Sequence, residues 1–173
     1  MNRLRADRVV LAVLGLGTGV CAAEPARLGM GGCSCGGILT HYSIAADPRT
    51  GAAASGAGGA NQLSTYGSDE YILQYANELG PPWRNPALSL EAWYPFLHAD
   101  RIHTPTLFVG GAKDFNVPVV GGPQRQQALG ALGVPAQPVV YPGLLHSITR
   151  PGFRKHRAGR DAAWFGRDRE PGR

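Results

Sequence analysis

One glycine-rich pentapeptide constrains the fold of this chain more than any other part of its sequence. It consists of Gly32, Cys33, Ser34, Cys35 and Gly36, which form a G-x-S-x-G pattern. An apolar segment precedes the pentapeptide, and the segment after it is typical of a helix. Glycines on both sides of a serine let the backbone turn sharply. The pattern therefore predicts a strand over residues 27–32, a strained turn at Ser34 and a helix over residues 36–46.

Strand and helix patterns alternate along the rest of the chain. Short apolar or β-branched runs, bounded by glycine or proline, predict strands at 51–58, 106–111 and 137–141. Helices are predicted at 88–96, 123–132 and 153–165. Because helices commonly connect parallel strands, this alternation favours an α/β fold with a mostly parallel sheet and flanking helices.

The composition suits a globular unit without a metal site or a disulfide framework. The chain has 173 residues, of which 43% are hydrophobic and 17% are charged, so it has enough apolar side chains to bury a core. Its three cysteines are Cys21, Cys33 and Cys35, an odd number that fits neither a disulfide framework nor four-ligand zinc spacing. We therefore expect free thiols, no metal and no cofactor.

The net charge of +5 comes largely from the C-terminal segment. The basic residues of that segment are Arg150, Arg154, Lys155, Arg157, Arg160, Arg167, Arg169 and Arg173. Such a segment is either a solvated, partly frayed helix or a surface for nucleic acid or another polyanion. Because no aromatic residues are interleaved in a way that indicates base stacking, we expect the solvated helix and no nucleic-acid partner.

The first 23 residues allow two interpretations. Three arginines precede an apolar run at 9–16 and small residues follow at 21–23, which resembles a secretory signal peptide. Alternatively, residues 7–16 form a helix that leads into the first strand. We favour the helix and a cytoplasmic location, because cleavage after residue 23 would leave very few residues before a core strand. A signal peptide would instead make the protein secreted. The apolar run is too short to span a membrane, so no stable membrane insertion is expected.

Three residues follow predicted strands in the order serine, aspartate, histidine. Ser34 follows the first predicted strand, Asp114 follows the strand at 106–111, and His146 follows the strand at 137–141. Because parallel strands end at the same edge of a sheet, we expect these three side chains to meet. Any one of them alone would more often be an ordinary loop residue.

The roles predicted for these residues are those of a serine hydrolase. Ser34 would be the nucleophile, His146 its general base and Asp114 the group that orients the imidazole ring. The backbone N–H of Cys35 would donate to the oxyanion. We expect Ser34 and His146 to lie within about 2.6–3.2 Å of each other, or somewhat farther apart without a ligand, with Asp114 beyond the ring. His41 is expected to pack inside the fold. The histidines expected to face solvent are His98, His103 and His156.

Several segments resemble the prolyl oligopeptidase family of serine peptidases, in its bacterial dipeptidyl- and acylaminoacyl-peptidase type. These segments, which together span about residues 24–165, are 25–37, 66–71, 78–86, 103–118, 132–135 and 140–146. The resemblance implies an α/β-hydrolase fold, a triad of Ser34, Asp114 and His146, and cleavage of short peptides through an acyl-enzyme. The residues that the resemblance implies for substrate binding are Tyr66, Tyr71 and Asn116.

The chain departs from the pattern of that family at positions that affect catalysis. Cys33 and Cys35 stand where the family has large aromatic residues. Asn116 stands near the position of an arginine that helps to hold the substrate backbone. The family also has several strands, a loop with a second oxyanion donor and a β-propeller before the nucleophile. These elements do not fit into the residues before residue 27.

These departures predict an N-terminally truncated catalytic domain. Residues 1–23 would be an apolar leader or helix, residues 24–166 the C-terminal part of an α/β-hydrolase domain, and residues 167–173 a basic tail. Such a chain would be a weak or inactive peptidase and would self-associate through an exposed sheet edge. A carboxylesterase-like α/β-hydrolase and a non-catalytic remnant of a peptidase are the alternative interpretations.

Overall fold

Four parallel strands form one sheet in the order β1–β2–β3–β4. The computed structural model describes residues 28–59, 66–92 and 94–167. The strands are β1 (Gly29–Cys33), β2 (Ala52–Gly56), β3 (Thr106–Gly111) and β4 (Ala136–Tyr141). Each strand pairs in parallel with the next strand along the chain. The predicted parallel sheet is therefore confirmed.

Helices connect and cover the strands. They are α1 (Cys35–Ala46), α2 (Ile72–Glu78), α3 (Pro86–Ala92), α4 (Tyr94–Leu97), α5 (Gly121–Ala131) and α6 (Pro151–Gly166). A 3₁₀ turn at Ala99–Arg101 lies between α4 and β3. The single helix predicted at 88–96 is thus two short helices, α3 and α4. The helix predicted at 7–16 lies outside the described residues. Within the described part of the chain, no helix has the length and apolar character that crossing a bilayer requires.

The two central strands are buried at every position, as a parallel sheet with helices on both faces requires. Strand β2 consists mainly of alanine, so helices can approach it closely, whereas β3 contributes larger apolar side chains. Strand β4 is mostly half-buried or exposed. Its Pro138 is exposed, and a residue without an N–H is tolerated there because β4 is an edge strand.

The sheet separates two hydrophobic clusters. The cluster on the α6 face comprises Ala52, Ala54, Leu107, Val109, Tyr141, Leu144 and Trp164. The cluster on the opposite face, beneath α1 and α5, comprises Ile44, Ala45, Ala53, Ile102, Phe108 and Leu129. Alternation along β2 and β3 sends successive side chains to opposite clusters. The two clusters hold the C-terminal ends of the strands in fixed positions.

The predicted C-terminal helix is present as α6, and most of its residues are exposed, while one face packs on the sheet. Trp164 is only 4% exposed, and its indole N–H donates to the carbonyl of Pro105 at 3.3 Å. The hydroxyl of Tyr141 and Nδ1 of His156 are joined by a 3.0 Å hydrogen bond, so His156 does more than face solvent. The basic side chains at the surface of α6, such as Arg154, leave its apolar stripe free to bind the sheet.

The outer edge of β1 has no strand partner among the described residues. The segment Gly29–Cys33 contains no charged residue and no proline, which are the residues that commonly block pairing at such an edge. Backbone groups on that side of β1 have no strand partner within the described residues, and through them a strand from another molecule would pair.

We predict that the purified chain self-associates through β1. Light scattering after size exclusion should show dimers or larger species whose share grows with protein concentration. Hydrogen exchange of the amides in Gly29–Cys33 should slow over the same range, because pairing protects them, whereas amides of the exposed helix α2 should not respond. A monomer at every concentration tested would contradict the prediction.

Candidate active site

Ser34 lies in a strained turn between β1 and α1. Its backbone angles are φ 58° and ψ −122°, a conformation that residues with a side chain rarely adopt. Such a conformation costs about 1–3 kcal/mol and persists only where neighbouring structure enforces it. The enforcing contact is the hydrogen bond from the N–H of Ser34 to the carbonyl of Gly56, at 2.8 Å. The turn thus holds the serine at the C-terminal edge of the sheet.

Gly32 makes this turn possible because the first turn of α1 folds back onto it. A Cβ atom at Gly32 would lie 2.4 Å from the carbonyl carbon and oxygen of Gly36, a distance that excludes any side chain. Helix α1 then starts directly at Cys35. The N–H groups in the first turn of a helix have no intrahelical acceptor, and that of Cys35 is one of them. Ser34 occupies the N-cap position without capping these groups through its side chain.

Asp114 and His146 form a hydrogen-bonded pair. Nδ1 of His146 lies 2.9 Å from Oδ2 of Asp114. Because an ionised carboxylate only accepts, the ring donates through Nδ1–H and its other nitrogen is left as the basic one. The Asp114 side chain is 1% exposed and that of His146 is 24% exposed. The pair is therefore sheltered on the aspartate side and open to solvent on the histidine side.

Backbone N–H groups fix the second oxygen of Asp114. Oδ1 accepts from the N–H of Asn116 at 3.0 Å and from the N–H of Val117 at 2.8 Å. These are the bonds of an aspartate turn, in which the side chain binds the backbone two and three residues later. The carboxylate thus has partners for both oxygens and presents Oδ2 to the histidine in one orientation.

The loop that carries His146 crosses directly over Gly111 at the end of β3. A Cβ atom at Gly111 would lie 2.1 Å from the carbonyl oxygen of Leu145 and 2.5 Å from that of Leu144. The N–H of Lys113 also donates to the carbonyl of Leu144 at 2.9 Å. This close crossing, which the sequence reasoning missed, brings the histidine loop down onto the aspartate loop.

Ser34 lies at the same sheet edge as this pair but is not bonded to it. Strand β2 lies between β1 and β3, so these two strands are about 10 Å apart at the usual strand spacing. Among the described residues no hydrogen bond joins the hydroxyl of Ser34 to His146, so the expected contact of about 2.6–3.2 Å is absent. Such bonds are often long in unliganded sites and tighten when substrate binds.

A sequence profile of the prolyl oligopeptidase family matches residues 12–170. The chain belongs to the prolyl oligopeptidase family. Acylamino-acid-releasing enzyme of Arabidopsis thaliana is 30% identical to it over 152 residues, which cover 83% of this chain and 20% of that protein. The uncharacterized peptidase YuxL of Bacillus subtilis strain 168 is 26% identical over 146 residues, which cover 82% of this chain and 22% of YuxL.

Solved structures support the same family and the α/β-hydrolase fold. A puromycin-hydrolyzing peptidase of Mycobacterium tuberculosis superimposes with a TM-score of 0.82 and 26% identity, over 93% of this chain and 24% of that one. The acylaminoacyl peptidase of Pyrococcus horikoshii gives a TM-score of 0.77 at 18% identity, over 90% of this chain and 25% of that one, a likeness of fold. The chain spans about a fifth of the curated relatives and a quarter of these structures.

Two of the residues assigned to substrate binding lie in an aromatic cluster. The ring of Tyr66 stacks on Tyr75 with centroids 6.4 Å apart and meets Trp83 edge-on at 6.3 Å. Tyr71 lies 6.3 Å from Tyr75. The hydroxyl of Tyr75 donates to Asp69 at 2.8 Å. No hydrogen bond or ring contact of Tyr66 or Tyr71 within the described residues reaches Ser34, Asp114 or His146.

Asn116, the third such residue, lies beside Asp114. Its side-chain oxygen is buried and has no hydrogen-bond partner among the described residues. A buried acceptor without a donor costs about 1–3 kcal/mol, so this oxygen is a position where a donor would bind favourably. Asn116 therefore has hydrogen-bonding capacity next to the histidine–aspartate pair, although it lacks the charge of an arginine.

Helix α1 contains a fully buried histidine two turns after Ser34. His41 is 0% exposed, and its ring meets Phe108 edge-on with centroids 5.6 Å apart. Neither ring nitrogen has a hydrogen-bond partner among the described residues. Burial, assisted by the charge of Arg125, lowers the pKa of His41 well below its ordinary value. Burial also lowers the pKa of Arg125 to about 9, an effect that Tyr42 opposes. His41 is therefore a neutral core residue.

We predict that Gly111→Ala displaces the histidine loop. The added methyl group cannot occupy the position of the Leu145 carbonyl, so the His146–Asp114 hydrogen bond should break and the low-field proton resonance of the bonded imidazole should disappear. Overpacking of this kind costs about 1–3 kcal/mol of stability. Gly130→Ala is the matched control, because a Cβ there meets nothing within 4 Å. An unchanged imidazole resonance in Gly111→Ala would show that the close crossing does not position the loop.

A second prediction concerns acid stability. Folded His41 resists protonation, whereas an unfolded histidine binds a proton below about pH 6.5. The free energy of unfolding should therefore fall as the pH drops below that value, by up to about 1.4 kcal/mol per pH unit. Urea denaturation of His41→Leu should show a shallower loss than the wild type. The exposed-histidine control His103→Leu should behave like the wild type, and identical pH slopes for all three proteins would contradict the prediction.

Proposed function

We propose that this chain carries the nucleophile, general base and orienting carboxylate of a serine peptidase that cleaves short peptides. The observation that supports the proposal best is the 2.9 Å hydrogen bond between His146 and Asp114 at the sheet edge where Ser34 occupies its strained turn. Membership of the prolyl oligopeptidase family supports it independently. The triad would consist of Ser34, Asp114 and His146.

In the proposed mechanism His146 accepts the proton of Ser34 as the serine oxygen attacks the scissile carbonyl. Asp114 keeps the imidazole in the tautomer that leaves Nε2 basic, and its charge stabilises the imidazolium that forms. His146 then protonates the departing amine, leaving an acyl group on Ser34 that water removes with His146 as base. The partial exposure of the His146 ring leaves room for the substrate and for that water.

The oxyanion of the tetrahedral intermediate would bind at the start of α1. The N–H of Cys35 has no intrahelical acceptor, and the positive end of the helix dipole favours negative charge there. We assign one oxyanion donor among the described residues, and loss of one donor typically lowers kcat by about 10²–10³-fold. Turnover by the chain alone is therefore expected to be slow.

The proposed substrates are short peptides, with N-acylated peptides as the first candidates. The 30% identical relative from Arabidopsis thaliana is an acylamino-acid-releasing enzyme, and that name motivates the choice. Tyr66 and Tyr71 would bind an apolar substrate side chain in their cluster. Asn116, two residues after Asp114, would contribute a side-chain hydrogen bond to the substrate.

Hydrolysis of matched chromogenic substrates tests the proposal. The panel comprises an N-acetyl-amino-acid anilide, an unblocked aminoacyl anilide and the corresponding ester. We expect slow anilide cleavage, which Ser34→Ala abolishes. Asp114→Asn and His146→Asn should lower kcat by roughly 10⁴-fold or more. The matched controls Asp100→Asn and His103→Asn change exposed residues and should retain activity.

Each contrary outcome removes a definite part of the proposal. Cleavage of the ester but of neither anilide would favour the carboxylesterase alternative. Activity that survives Ser34→Ala would remove the triad assignment. No cleavage of any substrate, together with no labelling by a fluorophosphonate probe, would identify the chain as a non-catalytic relative.

A further inference from the structure

Two free thiols flank the proposed nucleophile directly in sequence. Cys33 and Cys35 are both exposed and both unpaired. Consecutive Cα atoms are 3.8 Å apart, so each cysteine backbone is an immediate neighbour of Ser34. Both thiols therefore belong to residues that are covalently joined to Ser34.

The two thiols stand on different sides of Ser34. Cys33 ends β1 in register with Gly56, as Gly31 is in register with Ala54, and Ala54 belongs to the cluster beneath α6. Because alternate residues share a face of the sheet, Cys33 projects to the α6 side. Cys35 begins α1, which packs on the opposite face. The serine thus lies between a cysteine on the α6 side of the sheet and a cysteine at the start of α1.

The turn fixes the backbone from which both thiol side chains project. Ser34 is held by its hydrogen bond to Gly56, and the close contact of Gly32 with Gly36 leaves no space for the turn to relax. Cβ directions at Cys33 and Cys35 follow from the fixed backbone. A substituent on either sulfur would therefore project from backbone that adjoins Ser34.

We infer that Cys33 and Cys35 form a thiol-modification site at which low-molecular-weight disulfides reversibly block Ser34. The inference rests on the proposed function of Ser34 and adds a regulatory chemistry to it. The thiolate of either cysteine attacks one sulfur of the disulfide, a new S–S bond forms, and the second sulfur leaves as a thiolate. The proton lost by the cysteine is taken up by that leaving thiolate. No further oxidant is needed, because the disulfide is reduced as the cysteine is oxidised.

The size of the transferred group determines the extent of the block. Exposure of both sulfurs gives a small disulfide free access. A glutathionyl group covers the serine, whereas a methylthio group adds little bulk. A reducing thiol reverses the exchange and returns the hydroxyl to solvent, so the modification acts as a switch.

The test treats the full chain with glutathione disulfide or with dimethyl disulfide. Intact mass and peptide mapping report the adducts, and a fluorophosphonate probe reports the reactivity of Ser34. Glutathionylation should slow labelling by about 10²-fold, the loss that a small misplacement in a site can cause. The methylthio adduct should slow labelling much less. Dithiothreitol should restore the original rate in both.

Variants separate the flanking thiols from the third cysteine. Cys33→Ala with Cys35→Ala should abolish the sensitivity to glutathione disulfide, while Cys21→Ala should leave it intact. Adducts that form on Cys33 or Cys35 without slowing the labelling of Ser34 would overturn this inference alone, as would the absence of any adduct there. Untreated protein that does not label at all would overturn the proposed function instead. Reversal in the wild type provides a measurement that does not depend on the folding of the variants.

Discussion

The hydrogen bond between His146 and Asp114 depends on a series of contacts that involve strand β3, the loop after β4 and helix α6. Buried strand β3 ends at Gly111, and the absence of a side chain there lets the loop after β4 cross it. That crossing places His146 over Asp114, whose other oxygen is held by two backbone N–H groups. The helix α6 that follows this loop is anchored in turn by Trp164 against the sheet. Displacing any of these parts would separate the imidazole from its carboxylate.

The unfavourable backbone conformation of Ser34 is held in place by the structure around it. Its positive φ is unfavourable by about 1–3 kcal/mol, yet the turn is fixed between strand β1, which pairs with β2, and a helix that packs on the sheet. The strain keeps the hydroxyl out of the capping role that a serine at a helix N-terminus usually takes. The serine is therefore available for chemistry, and the first N–H groups of α1 are available for an anion.

Much of this arrangement follows from local sequence. Glycines around Ser34 specify the turn whatever lies elsewhere, and apolar runs bounded by glycine specify β2 and β3. Parallel strands must end at one edge, so the loops after them share it. For this reason the order of Ser34, Asp114 and His146 predicts the site region, and the structure brings the last two together. The direct contact of Ser34 with His146 did not follow, because it depends on side-chain positions that substrate binding alters.

Other features depend on contacts between distant residues and leave no local signal. The need for glycine at 111 appears only when the loop at 144–145 is placed above it. His41 was expected to pack inside the fold, but its complete burial follows from the packing of α1 on Phe108. The basic residues of α6 predict a solvated helix, and most of its residues are exposed. Its attachment to the sheet through the buried Trp164 has no such local signal, although removing a ring of this kind costs about 3–5 kcal/mol. The aspartate turn, in contrast, has a local signal in the sequence. Within Asp114, Phe115 and Asn116, the aspartate side chain can bind the backbone two residues later.

The most direct test of the account is to identify the atom that receives the acyl group. The chain would be mixed with an N-acetyl-amino-acid p-nitrophenyl ester, quenched in acid after a short time, digested and mapped by mass spectrometry. The acyl group should lie on Ser34 and be absent from Ser34→Ala. It should form far more slowly in His146→Asn than in the control His103→Asn. An acyl group on Cys33 or Cys35 in the wild type, or acylation of Ser34 that does not depend on His146, would contradict the account.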